Sequence, residues 1–153
     1  MTLQEIFAGC TAKPLLAEEP MAKHTSFRIG GPADLMAMPQ SEQELQQLLQ
    51  RAGEAKVPVT LVGNGSNLLV RDKGIRGLVI KLGNMLNDIA VDGCMLTFGS
   101  GVSLAAASRK AAELGLSGME FAVGIPGSIG GAVYMNAGAY DGEMAKVVTC
   151  DGA

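Results

Sequence analysis

The sequence predicts an α+β fold, and three observations lead to that prediction. An amphipathic segment over residues 42–55 precedes two short apolar runs, Val57 to Val62 and Leu78 to Leu82, that have the composition of strands. An Asp92-Gly93 pair joins two further apolar runs, which is typical of an antiparallel hairpin. A helix-and-strand layer followed by antiparallel pairing favours the α+β class.

The composition excludes several classes of protein. With 153 residues, 48% of them hydrophobic and 18% charged, the chain is long enough for one domain with its own core. The net charge of −3 gives no electrostatic footprint for nucleic acid. No apolar run approaches the roughly 20 residues that a membrane-spanning helix requires. We therefore expect a soluble, cytoplasmic protein that contacts neither nucleic acid nor a membrane.

Cysteine and histidine usage limits the chemistry. Cys10, Cys94 and Cys150 are odd in number and widely spaced, so neither a disulfide framework nor a zinc site is indicated. His24 is the only histidine, which excludes a Ser-His-Asp site or a multi-histidine metal site within this chain. We expect His24 to make a local hydrogen bond.

The N-terminal region carries weak signals. Pro14 and Pro20 interrupt it, so residues 1–20 are expected to be irregular apart from one short helix near the start. Thr25 to Pro32 is predicted to be a strand-like piece that ends in a turn. A short strand over Ala33 to Met38 should follow.

Two helices have recognisable starts. Ser41 with Glu44 three residues later predicts a capping box for a helix over residues 42–55. Its packing face should consist of Leu45, Leu48, Leu49 and Ala52. Ser103 is predicted to cap a second helix over Leu104 to Leu114, whose small contact face should lie close to a sheet. That face comprises Leu104, Ala107, Ala111 and Leu114.

The C-terminal residues predict an unfinished hairpin. Val147 to Cys150 has the composition of a strand, and Asp151-Gly152 is a turn signal whose return strand should follow. The sequence ends at Ala153 instead. We therefore expect the chain to be a fragment of a longer protein.

Two glycine loops are the most informative feature of the sequence. The first glycine loop, Gly63 to Asn67, follows a predicted buried strand, and the second glycine loop, Gly124 to Gly131, contains one serine. Glycine adopts positive φ readily, so successive backbone N–H groups could turn toward one anion. Two such loops predict a ligand with a diphosphate, such as a dinucleotide.

Neither loop matches the common nucleotide motifs. A Rossmann fingerprint needs a third glycine where this chain has Leu68, and a Walker A loop needs a lysine that both loops lack. Phosphate binding would therefore depend on backbone N–H groups and on hydroxyl, amide and guanidinium side chains. The candidates are Ser66, Ser128, Asn64, Asn67, Asn136, Arg28 and Arg71. The alternative that each loop is only a tight turn stays open.

Carboxylates give little support for acid–base catalysis. Glu120 and Glu143 lie beside the second glycine loop and are the only candidates worth keeping. We expect both to be solvated or capping groups. The nine methionines, Met36 and Met135 among them, are expected to fill the core.

Three long segments carry a resemblance to a known family. They are HTSFRIGGPADL from His24, LVGNGSNLLVRDKGIRGLVIKL from Leu61 and GLSGMEFAVGIPGSIGGAVYMNAGAY from Gly115. In this order they closely resemble the UDP-N-acetylenolpyruvoylglucosamine reductases, also called UDP-N-acetylmuramate dehydrogenases. The third segment looks like the family's second type, which lacks an extra tyrosine loop. The resemblance spans nearly everything after residue 20.

The resemblance implies a fold and a domain organisation. The fold is the FAD-binding α+β fold of the vanillyl-alcohol oxidase or PCMH type, with FAD between two small α/β subdomains. Residues 1–20 would precede this domain, residues 21–153 would form most of it, and the subdomain boundary would fall near residues 84–88. The substrate-binding domain would lie past Ala153.

The resemblance also implies a cofactor site. Two segments of the family line the FAD diphosphate and adjoining parts of the cofactor. The matching residues are Gly63, Asn64, Gly65, Ser66, Asn67, Leu68, Pro126, Gly127, Ser128, Gly131, Asn136, Ala137, Gly138, Ala139 and Tyr140. Related oxidases attach FAD covalently through a histidine, and Ser66-Asn67 stands in that neighbourhood here. Non-covalent FAD is therefore expected.

The activity implied is a reduction in bacterial peptidoglycan precursor synthesis. NADPH would reduce the flavin, which would reduce the enolpyruvyl group of UDP-N-acetylglucosamine enolpyruvate in a cytoplasmic, monomeric enzyme. The family's catalytic arginine, serine and glutamate match segments beyond Ala153, so we assign no catalytic residue and no metal ligand. The isolated chain is expected to be inactive. The competing interpretations are a non-catalytic nucleotide- or phosphate-binding module and a poorly folded truncation.

Overall fold

The computed structural model describes residues 1–83 and 85–149. The chain divides into two compact units, Met1–Met85 and Leu86–Ala153, which we call the first and second unit. The sequence places a subdomain boundary near residues 84–88. Among the described residues, no helix combines the length and apolar character needed to cross a bilayer.

The first unit contains a four-stranded mixed sheet. Its strands are β1 (Leu16–Pro20), β2 (Pro32–Ala37), β3 (Val59–Val62) and β4 (Ile75–Lys81). They lie in the order β1-β2-β4-β3, with β2 and β3 parallel to β4, and β1 antiparallel to β2. The predicted helix and strand layer is present, with the helix connecting β2 to β3.

Two helices belong to the first unit, α1 (Leu3–Ile6) and α2 (Glu42–Ala55). Ser41 caps α2 by accepting a hydrogen bond from the Glu44 N–H at 3.3 Å. The predicted capping box is only half formed, because the Glu44 carboxylate instead accepts from the N–H groups of Gln40 at 2.8 Å and Ala12 at 3.1 Å. Glu44 therefore ties the N-terminal segment to α2.

The sheet of the first unit has a buried layer on each face. One layer lies between the sheet, α2 and the segment that follows α1; its buried residues are Phe7, Cys10, Leu35, Ala37, Leu48, Ala52, Leu78 and Ile80. The other comprises Met21, Ala33, Met36, Val62, Val70 and Val79. On α2, Leu48 and Ala52 are buried as predicted, but Leu49 is 41% exposed and lies off the packing face.

The structure corrects two predictions for residues 1–32. The segment 1–20 is not irregular beyond α1, because β1 pairs with β2 from Leu16↔Met36 to Pro20↔Pro32. Proline is tolerated there because β1 is an edge strand. Thr25 to Gly31 is a loop, not a strand, and Arg28 in it has a φ of 55°.

Strand β3 also differs from its prediction. It begins at Val59, not Val57, and it is an edge strand with Leu61 56% exposed, so it is not buried on both sides. Strand β4 begins three residues before the predicted Leu78 and ends at Lys81. Strand β4 is one of the two inner strands, beside β2, and carries the fully buried run Leu78, Val79 and Ile80.

The second unit combines a hairpin with two helices. The predicted hairpin is confirmed as β5 (Ile89–Asp92) and β6 (Met95–Phe98). Helix α3 (Leu104–Glu113) has the predicted Ser103 cap, which accepts from Ala106 N–H at 3.2 Å. Helix α4 (Ile129–Met135) and the two-residue strands β7 (Gly138–Ala139) and β8 (Gly142–Glu143) follow.

Two predictions for the second unit are corrected, and a third falls outside the described residues. Helix α3 packs on α4 and on a 3₁₀ turn at Glu120–Ala122, in a core that includes Phe121 and is joined by Phe98 of β6. Its predicted contact residue Leu114 is 42% exposed and lies off the packing face. Val147 to Thr149 is not a strand, because a 3₁₀ turn at Met144–Lys146 bends the chain there. The predicted turn at Asp151-Gly152 and residue Cys150 lie outside the described residues.

Candidate functional site: two glycine loops

The first glycine loop begins at the carboxyl end of β3, directly after Val62. Within the described part of the chain, none of the backbone N–H groups from Gly63 to Leu68 donates a hydrogen bond to a protein atom. Asn64 and Asn67 are exposed, whereas Gly63, Ser66 and Leu68 are partly exposed. A run of unpaired N–H groups next to amide side chains is suited to donate hydrogen bonds to the oxygens of an anion.

Gly65 fixes the shape of this loop. It has a φ of 66°, and a Cβ atom there would overlap the carbonyl oxygen of His24. Its own carbonyl accepts a hydrogen bond from the Ser26 N–H at 3.1 Å. The residue must be glycine because the backbone of the 24–26 segment packs directly against it.

In the second glycine loop, unlike the first, several backbone N–H groups have protein acceptors. Its N–H groups donate within the second unit: Gly127 to Ile125 O at 2.9 Å, Ile129 to Val102 O at 2.8 Å and Gly130 to Ser100 O at 2.8 Å. None of its glycines has a positive φ. The expectation that these amides turn together toward one anion is therefore wrong for most of this loop.

The second glycine loop is the start of helix α4. Ser128 is the N-cap, 7% exposed, and its Oγ accepts from the Gly131 N–H at 3.4 Å. A Cβ at Gly130 would meet the Ser100 Cβ at 2.8 Å, so this glycine permits close packing. The Ser128 oxygen that the sequence offers to a phosphate thus has a structural partner.

Asn136 ends α4 in the left-handed conformation, with a φ of 46°. Its side-chain amide donates to Glu143 Oε2 at 3.0 Å and accepts from the Ala145 N–H at 2.9 Å. The Asn136 amide therefore holds the β7–β8 region in place. Both glutamates that the sequence offers have local partners, since Glu143 bonds to this amide and Glu120 accepts from the Gly118 N–H at 2.8 Å.

A tight turn presents Tyr140 to solvent. Strands β7 and β8 pair Ala139 with Gly142, leaving Tyr140 and Asp141 as the two turn residues. Their φ values of 49° and 64° are those of a type I′ turn. A tyrosine in this conformation is strained, and its side chain is 92% exposed.

Other sequence candidates are placed as follows. Arg28 and Arg71 are exposed in the first unit, and the Gly31 N–H donates to the Arg71 carbonyl at 3.0 Å. His24 bonds to Glu19 and Lys81, which confirms its predicted local role and adds a second partner. Hydrogen bonding from His24, together with the neighbouring Lys23, lowers the pKa of Glu19. Within the part of the chain that the structure describes, no group of side chains could hold a metal ion.

The fold and the glycine loops define a class of cofactor-binding proteins. The chain belongs to the FAD binding domain family, which it matches over residues 33–152. Two solved structures that are 19% identical share its fold. Alkyldihydroxyacetonephosphate synthase has a TM-score of 0.65 over 96% of this chain and 32% of its own, and 6-hydroxy-D-nicotine oxidase from Arthrobacter nicotinovorans has 0.54 over 71% and 25%.

Several curated relatives share the name UDP-N-acetylenolpyruvoylglucosamine reductase. The protein of Agathobacter rectalis is 54% identical over 90% of this chain and 49% of its own length. That of Syntrophomonas wolfei is 50% identical over 94% and 48%. The crystal structure of the Thermus caldophilus reductase is 38% identical, with a TM-score of 0.66 over 86% of this chain and 45% of its own. The chain spans about half the length of the curated relatives it matches.

Sequence reasoning missed helix α4 and the partners of its amides. A signal for the helix exists, because Ser128 is a good N-cap and Asn136 tolerates the left-handed conformation at a helix end. The acceptors Ser100 and Val102 are 30 and 27 positions before the amides they bind, Gly130 and Ile129. No local pattern reveals a pairing of that kind.

Proposed function

We propose that this chain binds FAD non-covalently, with the diphosphate at the first glycine loop. The open N–H groups from Gly63 to Leu68 carry this proposal, because backbone N–H groups without protein acceptors can each donate to a phosphate oxygen. Asn64, Ser66 and Asn67 would add side-chain donors. The exposed Arg28 and Arg71 could supply charge.

The second segment would contribute a surface more than a set of donors. Pro126, Gly131, Asn136, Gly138 and Tyr140 are exposed there. Gly127, Ala137 and Ala139 are partly exposed, so small residues offer a face that a planar ring can approach closely. We propose that this face and the Tyr140 ring contact FAD, whereas Ser128 supports the face by capping α4.

The whole protein is proposed to be an NADPH-dependent reductase that converts UDP-N-acetylglucosamine enolpyruvate to UDP-N-acetylmuramate. The names of the relatives that match about 90% of this chain support this proposal. FAD supplies hydride transfer when bound, and the residues of this chain would bind and orient it. We propose a bacterial cytoplasmic location and a monomeric state, without nucleic acid or membrane partners.

A flavin titration tests the first proposal. The purified chain is titrated with FAD, and flavin fluorescence and absorbance give the affinity. We expect saturable binding that ADP competes away more strongly than riboflavin does, because the loop would recognise the diphosphate. Equal affinity for ADP and FAD would favour a nucleotide-binding module without a redox role, and no binding of either would contradict the proposal.

Turnover tests the second proposal. The chain is loaded with FAD and mixed with NADPH and the enolpyruvyl substrate, and NADPH absorbance is followed. The longer protein that carries this segment should oxidise NADPH only in the presence of the substrate. Measurable turnover by residues 1–153 alone would show that these residues already hold the catalytic groups.

A further inference from the structure

Outside the predicted ligand segments, one polar side-chain cluster of the first unit is largely buried. It consists of Glu19 on β1, His24 after the 3₁₀ turn at Met21–Lys23, and Lys81 at the end of β4. His24 Nε2 lies 3.0 Å from Glu19 Oε1, and His24 Nδ1 lies 3.0 Å from Lys81 Nζ. The side chains of His24 and Glu19 are 12% and 15% exposed.

The two partners determine which ring nitrogen donates a hydrogen bond and which accepts one. The Lys81 ammonium can only donate hydrogen bonds, so Nδ1 must accept. The Glu19 carboxylate can only accept, so Nε2 must carry the hydrogen. With these partners the ring donates from Nε2 and accepts at Nδ1, and it joins the edge strand β1 to the inner strand β4.

The same residue contacts the first glycine loop through its backbone. The His24 carbonyl oxygen packs against the Gly65 Cα, at the place a Cβ would occupy. Two residues later, the Ser26 N–H donates to the Gly65 carbonyl. On the other side, Lys81 is paired in register with Val62, the residue before Gly63. The loop is thus supported by the 24–26 segment and by the end of β4, and the His24 imidazole connects these two supports through Lys81.

We propose that His24 is a positioning residue for the first glycine loop, held between Glu19 and Lys81 so that the loop keeps the shape that receives a flavin diphosphate. This role rests on the proposed function. His24 need not touch the ligand, because it fixes the Gly65 backbone from behind. A side chain that bonds to neither Glu19 nor Lys81 would free the 24–26 segment and let the loop amides change direction.

Affinity measurements with three variants test this role. His24→Phe keeps a ring but removes both hydrogen bonds, and it should weaken FAD binding about tenfold, since each bond to a charged partner contributes appreciably. His24→Asn places an oxygen near the Nδ1 position and should recover much of that loss. Asp34→Asn is the control, because it breaks the Asp34–Arg76 pair at 2.6 Å in the same sheet, away from the loop. It should leave FAD affinity within about twofold.

The affinity results can overturn the proposal directly. Unchanged FAD affinity in His24→Phe would contradict it, and so would an equal loss in Asp34→Asn, which would indicate general destabilisation. If His24→Phe does not fold, Lys81→Met provides the second variant. It removes the donor to Nδ1, leaves the imidazole in place and should weaken binding in the same direction.

Measurements without flavin separate this proposal from the proposed function. His24 is the only histidine, so its nitrogen NMR signals are unambiguous and should report the Nε2–H tautomer. Hydrogen exchange at the Ser26 N–H should be slow in the wild type and Asp34→Asn, and fast in His24→Phe. An Nδ1–H tautomer, or a Ser26 N–H equally protected in all variants, would overturn the positioning role. If those results are as expected but FAD does not bind, only the proposed function fails.

Discussion

Among the residues that the structure describes, the N–H groups of the first glycine loop and of Leu68 after it have no protein acceptor, whereas three N–H groups of the second glycine loop donate to Ile125, Val102 and Ser100. The two loops have similar compositions, so composition does not determine this difference. The first loop begins where the pairing of the edge strand β3 with β4 ends, at Val62↔Lys81. The second is packed against the segment before α3 and starts a helix. Glycine in the first permits a left-handed turn, and in the second it permits close packing.

The largest expected effect follows from changing Gly65. Gly65→Ala would place a Cβ into the His24 carbonyl at a φ of 66°, so we expect flavin binding to be lost. The free energy of unfolding should fall by about 2 kcal/mol or more. FAD titration and thermal unfolding followed by circular dichroism measure the two effects. The control is Gly53→Ala in exposed α2, where a Cβ meets nothing within 4 Å. It should raise the free energy of unfolding by up to about 1 kcal/mol. An equal loss of stability in both variants would contradict the special role of Gly65.

Two neighbouring glycines of the second loop differ in the space that a side chain would find. Gly130→Ala would bring a Cβ to 2.8 Å from the Ser100 Cβ. The clash should outweigh the better helix propensity of alanine, so we expect the free energy of unfolding to fall by about 1 kcal/mol. Gly131→Ala meets only the Ser128 Oγ at 3.4 Å and should leave stability unchanged or slightly raised. Urea unfolding of both variants checks this. If Gly131→Ala were the more destabilising change, close packing would not be the reason for these glycines.

The cap of α4 is a smaller test. Ser128→Ala removes the acceptor of the Gly131 N–H and should cost about 1 kcal/mol. If the serine only caps the helix, Ser128→Asp should restore stability, and the two variants should differ little in ADP affinity. If Ser128→Ala lost ADP binding at unchanged stability, Ser128 would contact the phosphate directly. That result would contradict a purely structural role for this loop, whose N–H groups already donate to protein carbonyls.

The smallest effect concerns pH and the first unit. The hydrogen bond from His24 lowers the pKa of Glu19 below its ordinary value of 4.5 in the folded chain. The stabilising contribution of the ionised Glu19 carboxylate is therefore fully present above pH 4.5. It is lost as the pH falls through the lower pKa of the folded state. The stability difference between the wild type and Glu19→Gln should shrink over that range. A difference that stays constant down to pH 3 would exclude this linkage.

The sequence was sufficient for features with a local signal. The extent of α2, the Asp92-Gly93 hairpin and the Ser103 cap depend on residues within a few positions of one another, and all three are present. The edge strand β1 was missed because Leu16 to Pro20 carries two glutamates and ends in proline. Its pairing depends on β2, which lies more than ten residues further along the chain.

Contacts between residues far apart in the sequence also determine the candidate site, and the sequence alone does not reveal them. The glycine-rich composition identifies both loops, but whether an N–H group is free depends on distant acceptors such as Ser100. Asn136 is predicted as a free donor, and it is bonded to Glu143 and Ala145 because α4 turns the chain back on itself. The role of His24 depends on Lys81, which is 57 residues away.

The exposure of the two tyrosines has a consequence for optical experiments. The chain has no tryptophan, and Tyr134 and Tyr140 are 89% and 92% exposed in the second unit. Their surroundings are already mostly water, so unfolding changes the emission of either ring little. Intrinsic fluorescence would consequently make the chain look insensitive to denaturant while both units unfold, and the first unit would be invisible to it throughout.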